Sequence, residues 1–453
     1  MLIKISIDNF KSFAELTELT MITSSKMQDT LKHRFTLNRN INLLRNAAIY
    51  GANASGKSNL IAAFRFFKET LKSGLPINCM HLFCRNQPEN EKRESSFELQ
   101  FSTGTSIYAY GFSVILSQRL ITGEWLYKLN PTGDAKPIFE RTDGGKIELN
   151  TSYGFSEEDT RRIETYIEDF GAPAHMLFLT ELNRNKKYPQ NSKLSVFKKT
   201  YSWLINNIFI LSHNDPITKF EYYYNEETLE RVSQMLESFD TGITKVDIKE
   251  ITADEMKNKL DAVTYEKVMA RIKEAMNSSA HGQYHMTMRS DTSIFNIEGS
   301  SNTEPRITTI RLRHRDSAFD FDFEEESDGT RRLFDLMDML LLDKKDVVFI
   351  VDELERSLHP KLTQHFVELF NEIHKEQQMQ LLFTTHEDVI MDQSLFRRDE
   401  IWFVERNIQN ISHIYSLDRF KERYDKIVGK AYLEGRYGAI PVFKSFSFEE
   451  EES

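Results

Sequence analysis

Residues 51–58 read Gly-Ala-Asn-Ala-Ser-Gly-Lys-Ser, a complete GxxxxGK[ST] pattern. Glycines let backbone N–H groups wrap a phosphate chain at a positive helix N-terminus, Lys57 adds a mobile cation, and the Ser58 hydroxyl can ligate Mg²⁺. Such a loop has to join a buried strand to a helix, and both are written around it. Ala47-Ala48-Ile49-Tyr50 is a short apolar run suited to a buried strand, and Leu60, Phe64, Phe67 and Leu71 recur at helical spacing up to Gly74. The chain is therefore expected to bind a nucleoside triphosphate.

A second group of residues could complete the chemistry. Val347-Val348-Phe349-Ile350-Val351 is a buried strand that ends in Asp352 and Glu353, where the C-terminal edge of a sheet presents groups to a nucleotide. Asp352 is expected to hold the Mg²⁺ shell and Glu353 to polarise the water that attacks the γ-phosphate. Upstream, Ser327-Asp328-Gly329-Thr330 precedes a helical pattern through Leu333, Leu336, Met337 and Leu340. Ser327 is a good N-cap, and Gly329 leaves room for a phosphate near the backbone. The strand Leu381-Leu382-Phe383-Thr384-Thr385 ends in His386, an imidazole within reach of the same phosphate.

The elements that must position these groups alternate in character along the chain. The first 25 residues and Phe97 to Ile115 alternate apolar and polar, as antiparallel strands do. Asn183 to Pro189 is a polar, basic connector, and a domain boundary is expected near it. Beyond it, Glu226 to Phe239 and Ala253 to Met276 are helix-prone and flank the strand-like Ile243 to Ile251. Strand character returns at Ile307 to Arg315, and alternating strands and helices follow to about Tyr415. Sustained apolar heptads are absent, which argues against a long coiled-coil arm. Glu449 to Glu452 reads as a solvated acidic tail.

Composition sets limits on partners and compartment. The 453 residues could fold as two or three domains, or as one nucleotide-binding fold with an insertion. With 58 Lys and Arg against 69 Asp and Glu, the formal net charge is −11, so nucleic-acid contact would need a local basic patch. Cys79 and Cys84 flank His81, but three such side chains fall short of the four ligands of a structural zinc site. Two reduced cysteines, no apolar run of about 20 residues and a start that reads directly as a strand point to a cytoplasmic protein without a membrane span.

The order of phosphate loop, Ser-x-Gly turn, acidic strand and histidine strand resembles the ABC-type ATPase heads of the RecF, SMC and OLD kind. Asn9-Phe10-Lys11-Ser12-Phe13 resembles their opening strand, Ser327-Asp328-Gly329-Thr330 their signature motif, Ser357-Leu358-His359-Pro360 their D-loop, and His386 their switch histidine. Aspartate stands where many such signatures have a first glycine. The ending Gly435-Arg436-Tyr437-Gly438-Ala439-Ile440-Pro441, after Ile401-Trp402-Phe403-Val404-Glu405, is similar to the ATPases of RloA and AbiL abortive-infection proteins and of the AriA subunit of PARIS phage defence. Glu181 or Asn183 stands in for the family's Q-loop glutamine.

The resemblance implies an α/β, two-lobed ABC ATPase head with an antiparallel β subdomain and a small inserted α+β region. The expected segments are 1–178 with the phosphate loop, 179–305 as the insertion, 306–448 with signature, acidic strand and histidine, and 449–453 as the tail. It also implies ATP and Mg²⁺ as cofactors. Nucleotide contacts are expected from Lys11, Asn53, Ala54, Ser55, Gly56, Lys57, Ser58, Asn59, Ser327 and Gly329, metal contacts from Ser58 and Asp352, and catalysis from Glu353 and His386. One chain carries one phosphate loop and one signature, so a head-to-head homodimer or higher oligomer is expected, with Ser327 and Gly329 acting on the nucleotide of another copy.

Two further clusters have plainer readings. Arg311, Arg313 and Arg315 could grip nucleic acid, but a solvated face balanced by Asp316, Asp320 and Asp322 is the better expectation. Asp320-Phe321-Asp322 superficially matches the DxD of a Toprim nuclease. It precedes the signature, however, and the stretch after His386 is too short for a Toprim domain of about 100 residues. The leading expectation is an ATPase subunit of an anti-phage system that senses a phage-encoded trigger and controls a separate Toprim- or RloB-type effector. The alternatives are a RecF-like ATPase that clamps DNA and a nucleotide-gated scaffold that does not hydrolyse.

Overall fold

A computed structural model of the chain describes residues 1–24, 33–38, 41–130, 134–189, 191–211, 226–278, 283–289, 293–300, 304–420 and 428–440. The acidic tail and Pro441 lie outside the described residues. The chain divides into two compact units: Met1–Ser212 with Lys344–Leu354 and His374–Ser453, and His213–Asp343 with Glu355–Ile373. The expected segments cut the chain elsewhere. The helix Ser195–Asn206 and the strand Ile208–Leu211 belong to the first unit, and the signature helix Asp328–Leu341 to the second.

The sheet that carries the phosphate loop is made from short, largely apolar strands. Its order is Ile208–Leu211, Val347–Val351, Met379–Thr384, Asn46–Tyr50, Ile401–Arg406 and Ser412–Ser416. The first five are parallel and the last closes an antiparallel hairpin. Every residue of Asn46–Tyr50, Val347–Val351 and Met379–Thr384 is buried, as strands covered on both faces must be. The register pairs Val351 with Phe383 and Thr384 with Ile49, so the loop, the acidic pair and His386 all emerge at the same C-terminal edge.

A second, antiparallel sheet runs in the order Ile147–Leu149, Ala135–Arg141, Leu120–Leu129, Ser106–Ile115, Ser95–Thr103, Leu2–Asp8 and Thr17–Thr20. The alternation in the first 25 residues and in Phe97 to Ile115 corresponds to four of these strands. The phosphate-loop helix Lys57–Ser73 buries Leu60, Phe64, Phe67 and Leu71 at the expected spacing and stops at Gly74. Phe66 and Phe67 meet Phe97 and Phe112 of this sheet with ring centroids 5.0 and 5.5 Å apart. Loss of such a ring, Phe67→Ala for example, costs about 3–5 kcal/mol and would loosen the packing behind the helix that carries Lys57.

The second unit has its own sheet, Ile243–Ile251, Arg306–His314, Ile294–Ser300 and Gln283–Arg289, with Phe321–Asp322 paired to Arg306–His314. Met256, Val268, Ile272, Phe295, Ile297 and Ile307 form its core. The helix-prone run Ala253 to Met276 is two helices, Ala253–Asn258 and Ala262–Ser278. The break has a local cause: the Asp261 carboxylate accepts the N–H groups of Val263 and Thr264, each at 3.0 Å, and starts a new helix. Among the described residues no helix is long and apolar enough to cross a membrane.

Candidate functional site

The phosphate loop is shaped by close backbone approaches that only glycine permits. A Cβ on Gly51 would lie 2.4 Å from the Val404 carbonyl oxygen, and one on Gly56 would lie 2.4 Å from Ser412 Oγ and 2.8 Å from Ser12 Oγ. Gly56 also has φ +116°, closed to most side chains. Ser412 fixes the loop directly: its hydroxyl donates to the Ser55 carbonyl at 2.5 Å and its N–H to the Ser12 carbonyl at 2.7 Å. Asn59 donates to Ser12 Oγ at 2.8 Å. Asn53, Ala54 and Ser58 are exposed on this loop, and Ser55 is buried beneath it.

Lys57 is buried, and its ammonium donates to the carbonyls of Gly51 (2.7 Å) and Ala52 (3.1 Å), 3.4 Å from His386 Nδ1. The first turn of its helix holds no acidic residue of its own, which leaves the positive end of the helix dipole available to an anion. Ser55 Oγ is buried without a hydrogen-bond partner among the described residues. A glycine cradle, a cation, a helix N-terminus and an orphaned hydroxyl together suit a polyphosphate.

The acidic pair follows the strand Val347–Val351, which is separated from the loop strand by Met379–Thr384. Asp352 is buried, and its Oδ1 accepts from Thr384 Oγ1 at 2.7 Å and from Ser58 Oγ at 3.3 Å. Ser58 and Asp352 are therefore adjacent hard oxygen donors, the type Mg²⁺ uses beside substrate phosphates. Glu353 follows in the left-handed region at φ +50°, half-buried, with its N–H donated to Thr384 Oγ1 at 2.8 Å. The His386 pKa lies below its ordinary 6.5, lowered by partial burial and by the Lys57 ammonium. The imidazole is thus neutral near neutral pH.

Lys11 takes φ +52°, donates its N–H to the Leu82 carbonyl at 2.7 Å, and has a pKa lowered by burial. With Asn59, Arg85 and Arg406 it lines a cavity of about 420 Å³ next to the phosphate loop. Asn9 pins one wall, donating to the carbonyls of Asn90 and Arg93 and accepting the Cys84 N–H. Cys79 and Cys84 are both buried, and burial raises both thiol pKa values. Among the described residues no group of three His, Cys, Asp or Glu is placed to hold a metal ion. Of the two Q-loop candidates, Glu181 pairs with Lys186 at 3.0 Å and Asn183 donates to the Leu179 carbonyl at 2.8 Å.

Ser327 and Gly329 lie in the second unit. Ser327 is exposed and caps the helix Asp328–Leu341 by accepting the Thr330 N–H at 3.1 Å. A Cβ on Gly329 would lie 2.7 Å from the Ser357 carbonyl oxygen, which places the D-loop stretch against the signature turn. Both border a cavity of about 640 Å³ that Asp240 and Thr241 also line. In the same unit Arg311 pairs with Asp322 (2.9 Å), Arg313 with Asp320 (2.8 Å) and Arg315 with Glu237 (3.2 Å). The paired face is the reading that fits, with Asp320 and Asp322 among the balancing carboxylates as expected and Glu237 in addition.

Sequence reasoning missed Thr384, Ser412 and Arg406, whose Nη1 donates to the Ala54 carbonyl at 3.4 Å. Ser412 and Arg406 belong to a hairpin whose local pattern carries no sign of the loop it touches.

Residues 47–392 match the family model described as AAA domain, putative AbiEii toxin, Type IV TA system. No curated protein matches the chain. Among solved structures, the chain is similar to an SMC head bound to the C-terminal winged-helix domain of ScpA, at 14% identity over 92% of this chain and 97% of that one, TM-score 0.38. It is also similar to the SMC head domain from Thermotoga maritima (13% identity, 92% and 98% covered, TM-score 0.33). A third is the Smc head with an extended coiled coil bound to the C-terminal domain of ScpA, derived from Pyrococcus furiosus (14%, 96% and 99%, 0.38).

Proposed function

The chain belongs to this AAA-domain family, and from that premise we propose that it is the ATP-binding and ATP-hydrolysing subunit of a prokaryotic anti-phage, abortive-infection system. The observation that carries the ATPase reading is the meeting of three strand ends at one sheet edge. There Lys57 lies under the glycine loop beside His386, and Ser58 Oγ reaches Asp352 at 3.3 Å.

In this reading the loop N–H groups and Lys57 hold the β- and γ-phosphates. The nucleoside end extends towards the cavity of Lys11 and Arg406. Ser58 and Asp352 would hold Mg²⁺, which when bound offsets charge on the phosphate oxygens. Glu353 polarises the attacking water and takes up its proton. Neutral His386 donates a hydrogen bond to the γ-phosphate. Ser327 and Gly329 serve the nucleotide of a second copy, so two chains sandwich two ATP molecules about a two-fold axis.

Control of a separate effector is the finer part of the proposal. Its support is that residues 401–405 and 435–441 resemble the abortive-infection ATPases that stand beside separate nucleases. The carboxylates of Asp320 and Asp322 are engaged by Arg313, and by Arg311 and Lys259. That pairing supports effector chemistry in another protein, a Toprim- or RloB-type nuclease, with a phage product as trigger in the cytoplasm. Engagement of Arg311 and Arg313 together with a net charge of −11 also favours this reading over a DNA clamp. The test is co-expression with the product of the adjacent gene. Co-purification, with nuclease activity that changes on ATP addition, is expected; protection from phage by this chain alone would contradict it.

A further inference from the structure

One side chain ties the two halves of the acidic pair together, and neither the sequence motifs nor the family description assigns it. Thr384 is fully buried at the end of the histidine strand. Its hydroxyl donates to Asp352 Oδ1 at 2.7 Å and accepts the Glu353 N–H at 2.8 Å. Its carbonyl accepts the Leu354 N–H at 3.1 Å. Three consecutive residues beyond the acidic strand are thus held by this one residue.

We propose that Thr384 is the positioning residue of the hydrolytic site, setting Asp352 for metal and Glu353 for water through a single hydroxyl. The claim rests on the ATPase reading above and adds to it a division of labour. A hydroxyl has one proton to give and lone pairs to accept with, and both are used here in opposite directions. The donated proton directs Asp352 Oδ1, the oxygen that Ser58 Oγ also approaches. The accepted N–H holds Glu353 at φ +50°, a left-handed conformation that glutamate rarely adopts unless a neighbour imposes it. Without the hydroxyl, the Asp352 oxygen loses its donor and the Glu353 backbone is released towards ordinary φ, which swings its carboxylate away. The phosphate cradle is built from other residues, so nucleotide affinity does not depend on this bond.

The test is the Thr384→Val variant, which keeps the shape and removes the oxygen. A misplacement of about 1 Å costs on the order of 10²-fold in rate, so ATP turnover is expected to fall by that order. The Mg²⁺ concentration for half-maximal turnover should rise, while nucleotide affinity measured without Mg²⁺ stays at the wild-type value. Thr384→Ser, which retains the hydroxyl, should restore most of the turnover and the Mg²⁺ dependence. Wild-type turnover in Thr384→Val, or a serine variant as slow as the valine one, overturns the proposal. If the valine variant binds no nucleotide, Thr384→Ser and Thr384→Cys decide, because the thiol is a weak donor; equal turnover of the two overturns it. Lys57→Ala measured alongside separates the two levels of the account. Equal phosphate release from wild type and Lys57→Ala would bring down the ATPase reading and this proposal with it, whereas an inactive Lys57→Ala beside an unaffected Thr384→Val would bring down only this one.

Discussion

The phosphate-loop edge and the signature turn are made from the same parts, a glycine turn and a serine at a helix N-terminus, yet they are held in different ways. At the loop, the groups are tied to their neighbours: Lys57 to two carbonyls, Ser58 to Asp352, Ser55 to Ser412. At the turn, Ser327 is exposed, its hydroxyl bonds among the described residues only to Thr330 of its own helix, and it borders a cavity of about 640 Å³. Asp328 beside it is also exposed and bonded to Arg331 three residues on. The difference is what the proposed function requires: a first region already organised for a ligand within one copy, and a second whose exposed hydroxyl would act on the nucleotide of another copy.

The comparison breaks most visibly at Lys57. A charge-assisted hydrogen bond contributes roughly 1.5–3 kcal/mol, so Lys57→Ala is expected to weaken ATP binding on the order of a hundredfold, read by calorimetry. Undiminished affinity would show that the loop is not the phosphate cradle.

Ser327→Arg should act at the other region and give the opposite signature. ATP binding to the single chain stays intact while turnover falls at least about tenfold, because the arginine occupies the place of the donor that stabilises charge on the phosphate. Mixed with Lys57→Ala chains, it should recover at most one of the two composite sites. Normal hydrolysis by Ser327→Arg alone would remove the signature reading and leave the two regions unrelated.

The smallest effect is expected where both side chains are already engaged. Asp320→Asn with Asp322→Asn alters ion pairs to Arg313, Arg311 and Lys259, which are worth little at a surface. ATP turnover should be unchanged, and purified wild-type chain with Mg²⁺ and ATP should leave DNA and RNA intact. Cleavage that disappears in the double variant would make Asp320-Phe321-Asp322 a catalytic motif.

How far the sequence reached follows the same division. The loop strand, its helix, the acidic strand and the Ser327 cap were legible because each is a local pattern, with periodicity, cap and glycine lying within about one element's length. The pairing of Arg311 and Arg313 was legible because opposite charges alternate nearby. Thr384 and Ser412 were not, since their roles come from contacts between segments distant in the chain: Thr384 meets Asp352 and Ser412 meets Ser12, and no local periodicity specifies either contact. The division of the chain after Ser212 was also illegible, because Ser195–Asn206 and Ile208–Leu211 join the first unit by packing and pairing rather than by composition.

The central claim is that one sheet edge separates holding ATP from cleaving it, and Glu353→Gln tests that most directly. The amide keeps the size of the side chain and removes the carboxylate that polarises water, a contribution of about 10²–10⁴-fold in rate. Measured together on one preparation, ATP affinity should match wild type while phosphate release falls by at least the lower of those factors. Phosphate release equal to wild type would contradict the account.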